Sequence, residues 1–182
     1  MPRSTFADLK ATAGIGVPVP VRFGLEVPLL DQFDGAVELG YGPYPSISTF
    51  SINSGAVEAR VHYYPGWGPL YFGTGLGYQL FRIGTTLDLG SLAPTEGPSN
   101  ATFNFQFLYV ALGFGCRWNL SEALTLGFDL GVQIPLANWG SLSLPSKDVV
   151  EQDLANASSN ALGYLSNLIL PRVNLIKIGY AF

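Results

Sequence analysis

The sequence predicts an all-β protein: an eight-stranded antiparallel up-and-down transmembrane β-barrel, with one helix in its last extracellular loop. Three observations predict it. Residues 124–136 alternate without a break, with Leu124, Leu126, Phe128, Leu130, Val132, Ile134 and Leu136 set against Thr125, Gly127, Asp129, Gly131, Gln133 and Pro135. A period of two places the oily residues on one face of a strand and the small or polar ones on the other. The same pattern recurs seven more times along the chain. Finally, the composition is that of a membrane protein without a spanning helix. Only 12% of residues are charged and mean hydropathy is +0.29, yet no run of about 18 apolar residues occurs. A closed barrel is the other way to satisfy every backbone polar group in hydrocarbon.

The elements follow in order. Strand 1, over 7–17, sets Leu9, Ala11, Ala13, Ile15 and Val17 against Lys10, Thr12, Gly14 and Gly16. Pro18 and Pro20, each lacking a backbone donor, break the ladder in a tight turn. Strand 2 carries Val21, Phe23, Leu25, Val27 and Leu29 on one face, with Arg22, Gly24 and Glu26 on the other, and a polar turn over 31–34 follows. Strand 3 alternates Val37, Leu39 and Tyr41 with Glu38, Gly40 and Gly42, before a Pro- and Ser-containing segment over 43–51.

Strand 4 opposes Val57, Ala59, Val61 and Tyr63 to Glu58, Arg60 and His62, and the run Pro65-Gly66-Trp67-Gly68-Pro69 reverses the chain. Strand 5 opposes Leu70, Phe72, Leu76, Tyr78 and Leu80 to Tyr71, Gly73, Gly75, Gly77 and Gln79. A loop rich in Gly, Ser, Thr and Pro is expected over 84–101. Strand 6 carries Leu108, Val110, Leu112, Phe114, Cys116 and Trp118 opposite Tyr109, Ala111, Gly113, Gly115 and Arg117. Residues 119–122 turn it into strand 7, and strand 8 closes the chain over 172–182. Short turns after strands 2, 4 and 6 and longer loops after 3, 5 and 7 match the short periplasmic turns and long external loops of bacterial barrels, with both termini periplasmic.

The apolar row is expected to face lipid. It is mostly Leu, Val, Phe and Ile, more volume than an eight-stranded interior accommodates, while the opposite row is studded with glycine. No charge interrupts its middle, where lipid-facing Arg or Lys costs about 2–4 kcal/mol. Aromatics gather at the predicted periplasmic ends, as Tyr63, Phe72, Trp118, Tyr180 and Phe182.

The ending Lys177-Ile178-Gly179-Tyr180-Ala181-Phe182 resembles the C-terminal signal of bacterial outer-membrane barrels, an alternating strand closed by a terminal aromatic. The whole chain resembles small eight-stranded OmpA-like barrels. The resemblance implies an outer-membrane location, recognition of Gly179, Tyr180 and Phe182 by the barrel-assembly machinery, and contact with the bilayer and its lipopolysaccharide. It carries no activity with it. A secretory leader is expected to have been removed, because no basic segment with an apolar stretch follows Met1.

The inward row holds the candidate functional residues. Lys10, Arg22, Arg60, Arg117 and Lys177 stand against Glu26, Glu38, Glu58 and Asp129, nearly balanced, and in so narrow a lumen they must pair or be hydrated. His62, the only histidine, joins this network. No nucleophile-elbow spacing accompanies it, so no catalytic residue is assigned. Lipid A deacylases and palmitoyltransferases share the eight-stranded barrel, but they work with a Ser and a His near the membrane rim, whereas His62 points inward. One histidine and one cysteine make no His/Cys metal cluster, and no cofactor is expected. Cys116 reads as a small hydrophobe on the apolar row. The net charge of −4 gives no case for nucleic acid.

Within the last loop, Val150, Leu154, Ala157, Ala161, Leu165 and Leu168 recur at helical spacing. Ser146 is a candidate cap, with Asp148 and Glu151 in the first turn. This helix reads as a lid on the barrel mouth or as a partner or lipid-surface helix. The expected protein is thus a single domain over 1–182, monomeric, acting as a non-enzymatic membrane scaffold or surface-contact protein with a plugged polar lumen. A small passive channel for ions or small solutes and a lipid A-modifying enzyme are the alternatives.

Overall fold

Eight strands follow one another in the chain and around the barrel: β1 (Lys10–Val17), β2 (Val21–Leu30), β3 (Phe33–Pro43), β4 (Phe50–Tyr63), β5 (Leu70–Leu87), β6 (Ser99–Asn119), β7 (Leu124–Ser143) and β8 (Leu170–Ala181). They belong to a computed structural model that describes residues 9–44, 50–87, 99–143 and 169–182. Each strand pairs antiparallel with its sequence neighbour, and β1 pairs with β8, so the sheet has no free edge.

The alternation read from the sequence becomes an inside and an outside. Phe23, Leu39, Leu76, Leu112 and Ile178 are each about half exposed or more on the outer face, while Glu26, Glu58 and Tyr109 across the pleat are at most 1% exposed. An apolar girdle of this extent far exceeds the patches that a water-facing surface carries. Its physical counterpart is hydrocarbon. Aromatic side chains stand exposed at both margins, with Tyr63, Phe72, Trp118, Tyr180 and Phe182 at one end and Tyr41, Phe50 and Trp139 at the other.

The two ends differ. At the turn end, residues 31–32, 64–69 and 120–123 make compact reversals near both ends of the described chain. Gly66 and Gly68 have φ of 83° and 70°, values that favour glycine, and they flank an exposed Trp67. At the opposite, loop end, the Pro18-Val19-Pro20 turn folds into the lumen. The Gly16 N–H donates to the Pro20 carbonyl at 3.1 Å, the Tyr44 hydroxyl donates to the Pro18 carbonyl, and Val19 is fully buried. Gly40 makes room for it, since a Cβ there would lie 2.7 Å from Val19 Cγ1.

Several predicted boundaries are corrected. Within the expected loop over 84–101, residues 84–87 and 99–101 are strand, Gly84 to Leu87 pairing with Thr102 to Ser99, and the rest lies outside the described residues. Residues 138–143, placed beyond strand 7, extend β7 by pairing with Phe107 to Thr102. The segment expected over 43–51 is bounded more tightly by Pro43 and Phe50, and the 31–34 turn contracts to 31–32, which brings Asp34 into β3. β1 begins at Lys10, with Leu9 just before it, and residues 7 and 8 of the predicted strand lie outside the described residues. The predicted helix of the last loop lies outside the described residues.

Candidate functional site

The lumen between the strands is filled by charge. From β8, Lys177 Nζ donates to Glu38 Oε1 at 2.6 Å and lies 2.8 Å from Glu26 Oε1. From β6, Arg117 reaches across to Glu26 at 2.6 Å and to Asp34 at 3.3 Å. Arg60 on β4 spans the lumen to Asp129 on β7 at 2.8 Å while its Nε sits 3.1 Å from Glu58. Arg22 on β2 approaches Glu58 at 3.4 Å and Glu38 at 3.6 Å. All these side chains are buried or nearly so. Arg117 also lies over the rings of Tyr64 and Tyr71, at 5.4 and 5.5 Å from their centroids.

Two members of the network were not singled out from the sequence. Arg172 bonds Glu38 at 2.7 Å and Glu58 at 3.2 Å, and Asp34 accepts from Arg117. Strict alternation back from Lys177 points Leu175 and Val173 inward and Arg172 outward. The structure inserts a β-bulge instead. Ile15 pairs with Ile176 and the next residue, Gly16, with Asn174, so Leu175 is skipped and both Leu175 and Ile176 face out. One extra residue reverses the parity of the rest of the strand, which carries Asn174 and Arg172 inside. The two adjacent bulky residues, Leu175 and Ile176, were the signal available. For Asp34 the signal was parity, since it shares the even row of Glu38. With these two, the paired cations Arg22, Arg60, Arg117, Arg172 and Lys177 face five carboxylates, Glu26, Asp34, Glu38, Glu58 and Asp129, among the described residues.

The remaining predicted residues fall as follows. Lys10 is half-buried at the turn-end rim, in register with Glu26 and Ala181. His62 is fully buried, packed edge-on against Tyr71 with centroids 4.9 Å apart, and neither ring nitrogen has a hydrogen-bond partner. Among the described residues, no hydroxyl is hydrogen-bonded to either nitrogen. Gly179 faces inward, where a Cβ would lie 2.5 Å from Thr125 Oγ1, while Tyr180 and Phe182 face out and contact each other at 5.4 Å.

Glycine on the inner row makes space for tyrosine. Tyr109 on β6 lies directly across from Gly77 on β5, and its hydroxyl donates to Glu58 Oε2 at 2.8 Å. A Cβ on Gly77 would come 2.4 Å from the Tyr109 ring. Gly77→Ala should therefore displace Tyr109 from Glu58 and cost about 1–3 kcal/mol of stability, the usual cost of overpacking. Urea unfolding in lipid vesicles measures it, and a cost near zero would show that the tyrosine has room to move.

Toward the loop end the lumen changes character. In the girdle, β6 carries Leu112 and Phe114 outward with Gly113, Gly115 and Arg117 inward. Beyond it, Asn104 and Gln106 lie on the outward row while Phe103, Phe105 and Phe107 lie on the inward one. β5 inverts in the same way, with Arg82 exposed and Phe81 and Ile83 turned in. A second bulge, at Leu136, moves Trp139 to the outer face. Between the inverted rows lies a partly open apolar cavity of about 280 Å³, lined by the stacked rings of Phe81 and Phe107 together with Tyr44, Ile52, Pro135 and Leu170.

The chain thus combines a closed eight-stranded antiparallel sheet, an apolar exterior and a charged interior. Solved structures share this architecture. Acinetobacter baumannii CarO2 superposes with a TM-score of 0.62 at 12% identity, over 98% of this chain and 100% of its own. CarO of the same organism gives 0.56 at 12%, over all of both chains. A major outer membrane protein from Thermus thermophilus gives 0.61 at 15%, over 96% of this chain and 98% of its own. The fold is that of small outer-membrane β-barrels. At these identities the likeness is one of fold, so the bulge at Leu175 and the charge pairs of this barrel rest on its own residues. No protein-family model and no curated protein matches the sequence.

Proposed function

We propose that the protein is an integral outer-membrane barrel with an occluded lumen, acting as a non-enzymatic scaffold or surface-contact protein. The observation that carries this reading is the set of ion pairs that crosses the lumen, joining β8 to β3, β4 to β7 and β6 to β2. A hydrated solute crossing the barrel must separate these buried pairs, and each broken pair leaves an uncompensated charge that costs several kcal/mol. The tyrosines Tyr71 and Tyr109 and the inward Val19 occupy further cross-section. The full burial of His62, with no group among the described residues hydrogen-bonded to its ring nitrogens, supports a non-enzymatic role. In this reading the turn end faces the periplasm and the loop end the exterior, as the lengths of the connections indicate.

Planar-bilayer recordings of the purified protein test the proposal. The expected result is no stable conductance step at moderate voltage. A large, long-lived conductance would overturn the occluded reading and establish a passive channel.

A further inference from the structure

The apolar cavity at the loop end is not needed to occlude the lumen, because the charge network beneath it already does so. We propose that it is a binding site for one compact, uncharged apolar molecule, aromatic or alkyl, entering from the loop end. Three observations support this occupant. First, the side chains around it come from β4, β5, β6, β7 and β8 together with Tyr44, so the space lies inside the circumference of the barrel. An eight-stranded interior holds side chains or one small ligand, which excludes a protein partner.

Second, none of the lining residues carries a charge, and the Tyr44 hydroxyl is already engaged by the Pro18 carbonyl. A charged ligand would lose its hydration there without a partner. Third, the size fits. An apolar cavity of about 150 Å³ holds benzene, so the 280 Å³ here accommodates a molecule of roughly ten carbon atoms, such as a fused two-ring aromatic or a medium alkyl chain. Phe81, Phe103, Ile52 and Ile83 are only partly buried around this space, whereas Phe105 and Phe107 beneath them are fully packed. The upper side chains have apolar surface left for a ligand.

The test uses full-length protein with labelled Ile and Leu methyl groups in lipid nanodiscs, titrated with naphthalene and, separately, with 1-naphthalenesulfonate. Methyls of Ile52, Ile83 and Leu170 report the cavity, and those of Leu126 and Ile178 report the lipid-facing surface. Naphthalene should give saturable shifts at the first three, with the sulfonate binding at least tenfold more weakly. Ile83→Trp, which fills the cavity, should weaken naphthalene binding at least tenfold while the Leu126 and Ile178 methyls keep their positions. Ile52→Phe serves as a second filling variant if the first does not fold.

Shifts that never saturate and are equal at all five methyls would show partitioning into the bilayer only. No shift at the three inner methyls would show that the chain itself closes the cavity. Either result overturns the proposal. Cross-relaxation from lipid acyl protons to Ile52, Ile83 and Leu170 without added probe would identify the natural occupant as a bilayer chain. Its absence, with saturable naphthalene binding, would identify a free apolar solute.

Discussion

Glu38→Gln should destabilise the folded barrel by about 3–5 kcal/mol, the cost of breaking a buried charge pair from one side. The carboxylate of Glu38 is bonded to Lys177 at 2.6 Å and to Arg172 at 2.7 Å, with Arg22 at 3.6 Å. Glutamine keeps the volume and removes the charge. Arg172 then leans on Glu58 and Lys177 on Glu26, but five cations share four carboxylates in a space where water screens poorly. The network as a whole is not a large net source of stability, because desolvating its members offsets their attraction. Its loss from one side is what costs. Urea-induced unfolding in vesicles, followed by electrophoretic mobility, gives the number. Adding Lys177→Met to Glu38→Gln rebalances the charge, so the double variant should be more stable than the sum of the two single losses predicts. A single-variant loss below about 1 kcal/mol would mean that the lumen charges are hydrated and largely independent.

The strand architecture was legible because lipid enforces alternation more strictly than a water-facing surface does. Residues 124–136 must show hydrocarbon an apolar side chain at every second position, so one strand alone displays the period, and its neighbours repeat it. Legibility ended where that solvent ended. Beyond Leu80 and before Leu108 the outward positions hold Arg82, Asn104 and Gln106, which suit water, so residues 84–87 and 99–101 read as loop although they are paired strand. The inward Phe103, Phe105 and Phe107 went unassigned for the same reason, and with them the cavity. Single-residue bulges at Leu136 and Leu175 broke the parity on which every inside-outside assignment rests. For Leu175 that concealed Arg172. Which charge meets which is not written in alternation at all. Arg60 and Asp129 lie 69 positions apart, and they meet because the stagger of the closed barrel sets them at one level across the lumen.

Phe182→Ala is expected to reduce the amount of protein inserted in cells several-fold, with far less effect on the stability of the finished barrel. The geometry separates these two roles. The Phe182 ring is 69% exposed and touches Tyr180, while its backbone N–H donates to the Leu9 carbonyl at 3.1 Å. That backbone bond joins the end of the chain to β1 and survives the substitution. What is lost is one aromatic ring at the membrane margin, worth about 1–2 kcal/mol at most, which a barrel closed by the full β1–β8 ladder tolerates. If the terminal aromatic is read as an address by the assembly machinery, the variant should fold from urea into detergent as completely as the parent protein and yet accumulate poorly in the outer membrane. Tyr180→Ala supplies the comparison, because it removes a similar ring from the same margin but leaves the terminal residue in place. Equal failure of Phe182→Ala in cells and in detergent would mean that the ring acts through stability. Normal insertion in cells would remove the role of the terminus as a signal and leave Phe182 as one member of the aromatic belt.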